Sequence, residues 1–159
     1  MPLDVFEYFN HLDQERFRAV ILHATPGKGP SVTQFAQRAC EQADGKYLDL
    51  LDLFVNDQTL SGKIDRFGPD NFRSLLIELS KGTDLLFVDK ADFVLDTWRR
   101  KERQHFFRMI TNQWDGYREG MATKILIALQ TSQEIKSLQI LDSQGQSRVF
   151  QLSDFNEIL

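Results

Sequence analysis

The sequence predicts a three-layer α/β fold, a mostly parallel sheet of five strands with helices on both faces. Three observations carry that prediction. The runs RAVILHA (18–24), DLLFVD (84–89) and KILIALQT (124–131) are continuously apolar, as strands buried on both faces are. Between them lie stretches whose apolar residues recur at helical spacing. The two kinds of segment alternate along the chain, the order that builds βαβ units. With 159 residues, 42% hydrophobic and 26% charged, the chain is sized for one domain with a substantial core, and its composition is not that of a disordered protein.

Val5, Phe6, Phe9 and Leu12 predict a short leading helix over about residues 3–15. The first strand covers 18–23. A helix follows from Ser31 to Asp44, with Val32, Phe35, Ala36, Ala39, Cys40 and Ala43 on one face and Gly45 as its stop. YLDLLDLF (47–54) reads as the second strand and NDQTLSGKIDRFG as a polar loop. Pro69 and Asp70 open a helix with an inner stripe of Phe72, Leu75, Leu76 and Leu79, ended by Gly82. The third strand is 84–89, a long helical stretch spans 94–117, and the fourth strand is 124–131. A short helix over 133–141 and a last strand, RVFQL (148–152), complete a single unit over 1–159.

Composition narrows the function classes. A net charge of −4 speaks against a protein that grips nucleic acid through its overall field. One cysteine, Cys40, forms no internal disulfide and sits on an inner helical stripe, so it reads as core in a reducing compartment. The first residues lack the basic segment and apolar core of a signal peptide, and no apolar run approaches a membrane span. The expectation is a soluble cytoplasmic protein. His11, His23 and His105 are scattered without ligand spacing, and with one cysteine they assemble no zinc site of the usual kind.

The chemistry concentrates at HATPGKGPS (23–31). A buried strand feeds a Gly-rich turn that opens into a helix, the layout that points backbone N–H groups and a helix dipole at a phosphate. Lined up on G-x-x-x-x-G-K-[ST], Ala24 takes the first glycine, Gly29 the second, Pro30 the lysine and Ser31 the hydroxyl residue. The candidate nucleotide contacts are Thr25, Pro26, Gly27, Lys28, Gly29, Pro30, Ser31 and Val32. An apolar strand closing on Asp89 supplies the second element, a carboxylate for Mg²⁺, with the Ser31 hydroxyl as a further oxygen ligand. The bland alternative is a tight strand-to-helix turn with Pro30 as an ordinary first-turn residue.

Over about residues 18–152 this pattern resembles the AAA-type branch of P-loop NTPases. The resemblance implies a sheet order of 5-1-4-3-2, a polar sensor at Thr131 (or Gln130), and an arginine at Arg148 that reaches into a neighbouring subunit's nucleotide. It also implies that the helical lid of many such ATPases is absent. Two departures bear on turnover. Pro30 replaces the lysine that neutralises the phosphates and removes one backbone donor. Lys90 replaces the glutamate that commonly orients the attacking water. Lys28 is the candidate to return a positive charge, and Asp92 the candidate to polarise a water. Losing charge stabilisation is costly in phosphoryl transfer, so the expectation is nucleotide binding with weak or no hydrolysis.

HATPGKGPS, LLFVDKAD, ILIALQTS and the closing RVFQLSDF together resemble the BrxF family, small P-loop proteins of type 3 BREX phage-defence islands. That resemblance implies an assembly or regulatory subunit of an antiviral machinery. It would bind ATP (or another NTP) with Mg²⁺, other BREX proteins such as a larger ATPase, and further copies of itself in a homo-oligomer. Two other readings stand beside it. One is a pseudo-ATPase used only as a protein-binding module. The other is a DNA-binding accessory factor acting through Arg99, Arg100, Lys101, Arg103 and Arg108, though a solvated helix face with Phe106, Phe107, Ile110 and Trp114 turned inward explains that run more simply.

Overall fold

The computed structural model describes residues 2–118 and 120–159. Five strands form one sheet: β1 (Ala19–Ala24), β2 (Lys46–Asp49), β3 (Leu85–Asp89), β4 (Lys124–Gln130) and β5 (Val149–Gln151). Their order is β2-β3-β4-β1-β5, and every pairing is parallel. Ala19–Ala24 run in register beside Ile125–Gln130, and Ile21–His23 beside Val149–Gln151. Since successive side chains point to opposite faces, each strand feeds two cores. Ile21, Leu86, Val88, Ile125 and Ile127 face one; Val20, Leu22, Leu85, Phe87, Leu126 and Ala128 face the other.

Helices α1 (Val5–Leu12) and α2 (Gly29–Ala43) cover the second of these cores, through Val5, Phe9 and Leu12 and through Val32, Phe35, Ala36, Ala39 and Cys40. Asp4 caps α1 by accepting from the Phe6 and Glu7 amides. α2 ends in a left-handed Asp44 (φ 54°) followed by Gly45, whose missing side chain is required: a Cβ there would fall 2.7 Å from Leu85 Cδ2. The first core is covered by α3 (Leu50–Asn56), α4 (Gln58–Ser61), α5 (Pro69–Ser80), α6 (Asp92–Leu95) and α7 (Arg100–Asn112), with the single-turn α8 (Gln133–Lys136) after β4. Phe72 and Phe106 stack there at 5.2 Å, with Trp98 against both rings. The result is a three-layer α/β fold.

Three elements differ from the sequence expectation. The expected polar loop NDQTLSGKIDRFG carries α4, capped by the Asp57 carboxylate, and a 3-10 turn at Ile64–Arg66. The run 47–54 is not one strand: β2 stops at Asp49, whose carboxylate accepts from the Asp52 amide and caps α3. From there Leu50 and Phe54, one helical turn apart, are buried, so the core contact follows period 3.6 rather than 2. The expected helix over 94–117 is likewise broken. Glu102 accepts from the Arg99 amide as a capping carboxylate and starts α7 afresh, while Trp98 donates its indole N–H to the Phe67 carbonyl. Among the described residues, no helix is long and apolar enough to cross a membrane.

Candidate functional site

The carboxyl ends of β1, β3 and β4 converge, where open parallel sheets bind their ligands. β1 leaves the sheet at Ala24 into Thr25-Pro26-Gly27-Lys28, a type II turn. Pro26 occupies its second position, Gly27 takes a left-handed φ of 97°, and the Lys28 amide donates to the Thr25 carbonyl at 3.1 Å. α2 begins at the next residue, with Pro30 in its first turn. Residues 25–31 are exposed to solvent at the helix N-terminus.

Asp89, buried at the tip of β3, faces this helix. Its Oδ2 accepts from the Thr33 hydroxyl at 2.6 Å and the Tyr47 hydroxyl at 2.7 Å, and Oδ1 accepts from the Lys90 amide at 2.9 Å. Burial and then the hydrogen bond to Asp89 push the Tyr47 phenol well above its ordinary pKa, so it stays a donor. The hydroxyl brought to Asp89 is therefore Thr33, where the sequence expectation put Ser31. Helix phase explains the difference. Gly29 and Thr33 lie four residues apart on the face turned to β3, whereas Ser31 lies roughly 160–200° around the helix from both. Thr33, Gly27, Gly29, Pro26 and Val32 share a small cavity of about 100 Å³ with Asp89.

Lys90 has a left-handed backbone (φ 61°) and its ammonium pairs with Asp49 at 2.8 Å. That hydrogen bond raises the Lys90 pKa and commits the ammonium to Asp49, while Lys90 still borders the small cavity with Asp89. Asp92 opens α6 and accepts from the Gln130 amide at 2.8 Å; burial lifts its carboxyl above the usual range. It borders the same small cavity, with Gln130 at the tip of β4.

A larger cavity, about 760 Å³, lies on the other flank of the turn, between α2 and residues 151–158. Lys28, Ser31 and Arg38 line its α2 side. His23 and Thr131 lie at the strand ends, joined at 2.8 Å between Nδ1 and Oγ1. Burial lowers the His23 pKa, so the imidazole is neutral at physiological pH. Arg38 donates to the Ile158 carbonyl and holds the far wall in place. Thr131 thus borders this cavity and Asp92 the smaller one.

Arg148 is placed away from both. It precedes β5 at the amino ends of the strands, 2% exposed, and donates to the carbonyls of Ala19 (3.0 Å), Thr111 (3.1 Å) and Leu141 (3.3 Å). An arginine enclosed in this way is not presented to a neighbouring subunit, which corrects the sequence expectation. The basic run on α7 behaves as a solvated face: Phe106, Phe107, Ile110 and Trp114 are buried, while Arg99, Arg100, Lys101 and Arg108 are exposed. Arg103 is tied to Glu134 and to the Trp98 carbonyl.

Sequence reasoning passed over Thr33, Tyr47 and His23 as site residues. The signal for Thr33 was present in the apolar stripe of α2, which puts Ser31 and Thr33 on opposite flanks. Choosing the flank that meets Asp89 requires the sheet order. No protein-family model matches the chain, and no curated protein matches it.

Proposed function

We propose that this chain is a nucleotide-responsive P-loop subunit that binds ATP or another nucleoside triphosphate with Mg²⁺ and hydrolyses it weakly or not at all. The observation that carries the reading is the Thr33 hydroxyl, 2.6 Å from buried Asp89, beside a Gly27 turn that opens α2. A carboxylate and a hydroxyl at adjoining strand and helix ends are the oxygen donors Mg²⁺ takes from a protein in such sites, and the helix N-terminus favours the phosphates. Lys28, exposed and with no ion-pair partner among the described residues, supplies positive charge that Pro30 does not. The sheet order, read from β5 as 5-1-4-3-2, also supports P-loop ancestry. Weak turnover fits a Lys90 that stands where such sites commonly carry a glutamate and is held by Asp49, and an Asp92 carboxylate already engaged by the Gln130 amide. The cellular setting, an assembly or regulatory role in a BREX-type antiphage complex with a larger ATPase or further copies of the chain as partners, rests on the sequence resemblance to BrxF.

A second reading has its own support. Pro30 has no amide, the Lys28 amide is used within the turn, and the cavity beside Asp89 is about 100 Å³, below the size range of ligand pockets. These favour a protein-binding module that keeps the turn as architecture. A thermal-shift titration separates the two. Saturating ATP and Mg²⁺, at about a hundred times Kd, should stabilise the fold by roughly 2.7 kcal/mol and raise Tm by about 5–11 °C. Thr33→Val and Asp89→Asn should remove the Mg²⁺-dependent part, and Ser31→Ala should keep it. An unmoved Tm at millimolar nucleotide would favour the protein-binding module.

A further inference from the structure

At the amino ends of the strands, far from the Gly27 turn, three side chains from opposite ends of the chain meet. His11 lies on the last turn of α1, Glu15 follows it, and Asp142 precedes β5. One donor atom from each lies within 4.8 Å of the other two, and His11 Nε2 is 2.9 Å from Asp142 Oδ2. A tetrahedral ion with bonds of about 2.0–2.2 Å wants its donors about 3.4 Å apart, so small rotations bring the three to coordinating distance.

Glu15 and the Asp142 carboxylate are both buried. Glu15 accepts from the Ser143 amide and hydroxyl, and Asp142 Oδ1 from the Gln144 and Gln146 amides; these bonds hold the two carboxylates in place and leave lone pairs on Glu15 and on Asp142 Oδ2 for an ion. Among the described residues neither pairs with a lysine or arginine. Arg148 is nearby, but its N–H groups go to backbone carbonyls. A second, independent observation points to a ligand. Tyr8, 8% exposed and one turn before His11, has a fully buried hydroxyl with no hydrogen-bond partner among the described residues. Its ring lies 5.9 Å from the His11 ring, and its oxygen is close enough to Asp142 and Glu15 to feel both charges. An orphaned buried hydroxyl is costly unless something meets it.

We propose that His11, Glu15 and Asp142 bind one divalent transition-metal ion of the zinc class, with the Tyr8 hydroxyl aimed at the fourth position. One imidazole nitrogen and two carboxylates suit Zn²⁺ and its first-row neighbours, whereas Ca²⁺ and Mg²⁺ favour shells made up of oxygen. The ion would fix the end of α1 to the turn at 142–146, and the phenol, keeping its proton, would donate a hydrogen bond to a water oxygen that completes the shell. This site is independent of any nucleotide. The ligands are up to 131 residues apart, which hides them from a search for local metal-ligand spacing.

The test is calorimetric titration of the chelator-treated full chain with ZnCl₂. The expected result is one ion per chain. His11→Ala and Glu15→Gln should each weaken it at least about tenfold. Tyr8→Phe should weaken it less, and His105→Ala should leave it unchanged. Absence of binding at millimolar Zn²⁺, or binding unaffected by His11→Ala, overturns the proposal. Should the ligand variants fail to fold, the imidazole NMR signals of the unaltered protein decide. Zn²⁺ should shift those of His11 ahead of His23 and His105, and a shift confined to the other two overturns it.

Discussion

Replacing Arg148 by methionine tests whether this side chain supports the fold or acts outside it. Methionine keeps an unbranched stem of similar reach but removes every donor. The carbonyls of Ala19, Thr111 and Leu141, accepted at 3.0, 3.1 and 3.3 Å, then lose their partners in a site where the side chain is 2% exposed. An unsatisfied buried polar group costs about 1–3 kcal/mol. Taking the low end for each of the three carbonyls, because the site relaxes and a buried guanidinium is itself expensive to desolvate, gives about 3 kcal/mol. For a domain of this size that lowers Tm by roughly 6–12 °C. Urea unfolding followed by circular dichroism measures the loss, and a thermal-shift titration measures the nucleotide response. Arg148→Met should lose stability while the folded fraction responds to nucleotide as before. A loss below about 1 kcal/mol together with an abolished nucleotide response would refute the structural role and restore that of an arginine reaching a neighbour's ligand.

Gly27→Ala places a side chain at φ 97° where no atom crowds it, so the cost is backbone strain alone, about 1–2 kcal/mol in urea unfolding. Gly29→Ala, at a helical position with equally open space, should be neutral or slightly stabilising in the same assay. His23 should titrate by NMR with a midpoint below 6.5, because burial disfavours its charged form. Between that lowered midpoint and 6.5 the unfolded chain binds the proton and the folded one does not. Stability therefore rises with pH through this window and is lost on acidification, and His23→Gln should flatten the slope.

The layers and strand positions could be read from the chain because apolar runs such as AVIL and LLFV have one way to be buried in an α/β protein. The failures fall where that signal is ambiguous. YLDLLDLF carries leucines that satisfy either period, and its outcome turned on Asp49 acting as a helix cap. The stretch 94–117 keeps helical spacing throughout, but a capping carboxylate at Glu102 restarts the helix. At the site, the Gly27 turn and Asp89 were visible locally. Thr33 and Tyr47 meet Asp89 only because β2 and α2 both lie beside β3, a fact of topology rather than spacing. The resemblance to AAA-type ATPases turns Arg148 outward to a neighbouring subunit; its carbonyl collar, drawn from segments 7 to 131 residues away, is again a fact of topology.

The position of β1 bears on how this protein is made. Of the five strands it leaves the ribosome first, yet both its neighbours in the sheet, β4 and β5, lie more than a hundred residues further on. Until translation passes residue 130, an AVIL segment has no ladder to join and its edges are open to other nascent chains. Pairings this distant in sequence make for slow maturation. A chaperone-depleted host should therefore lose this protein to inclusion bodies sooner than a helical bundle of equal length.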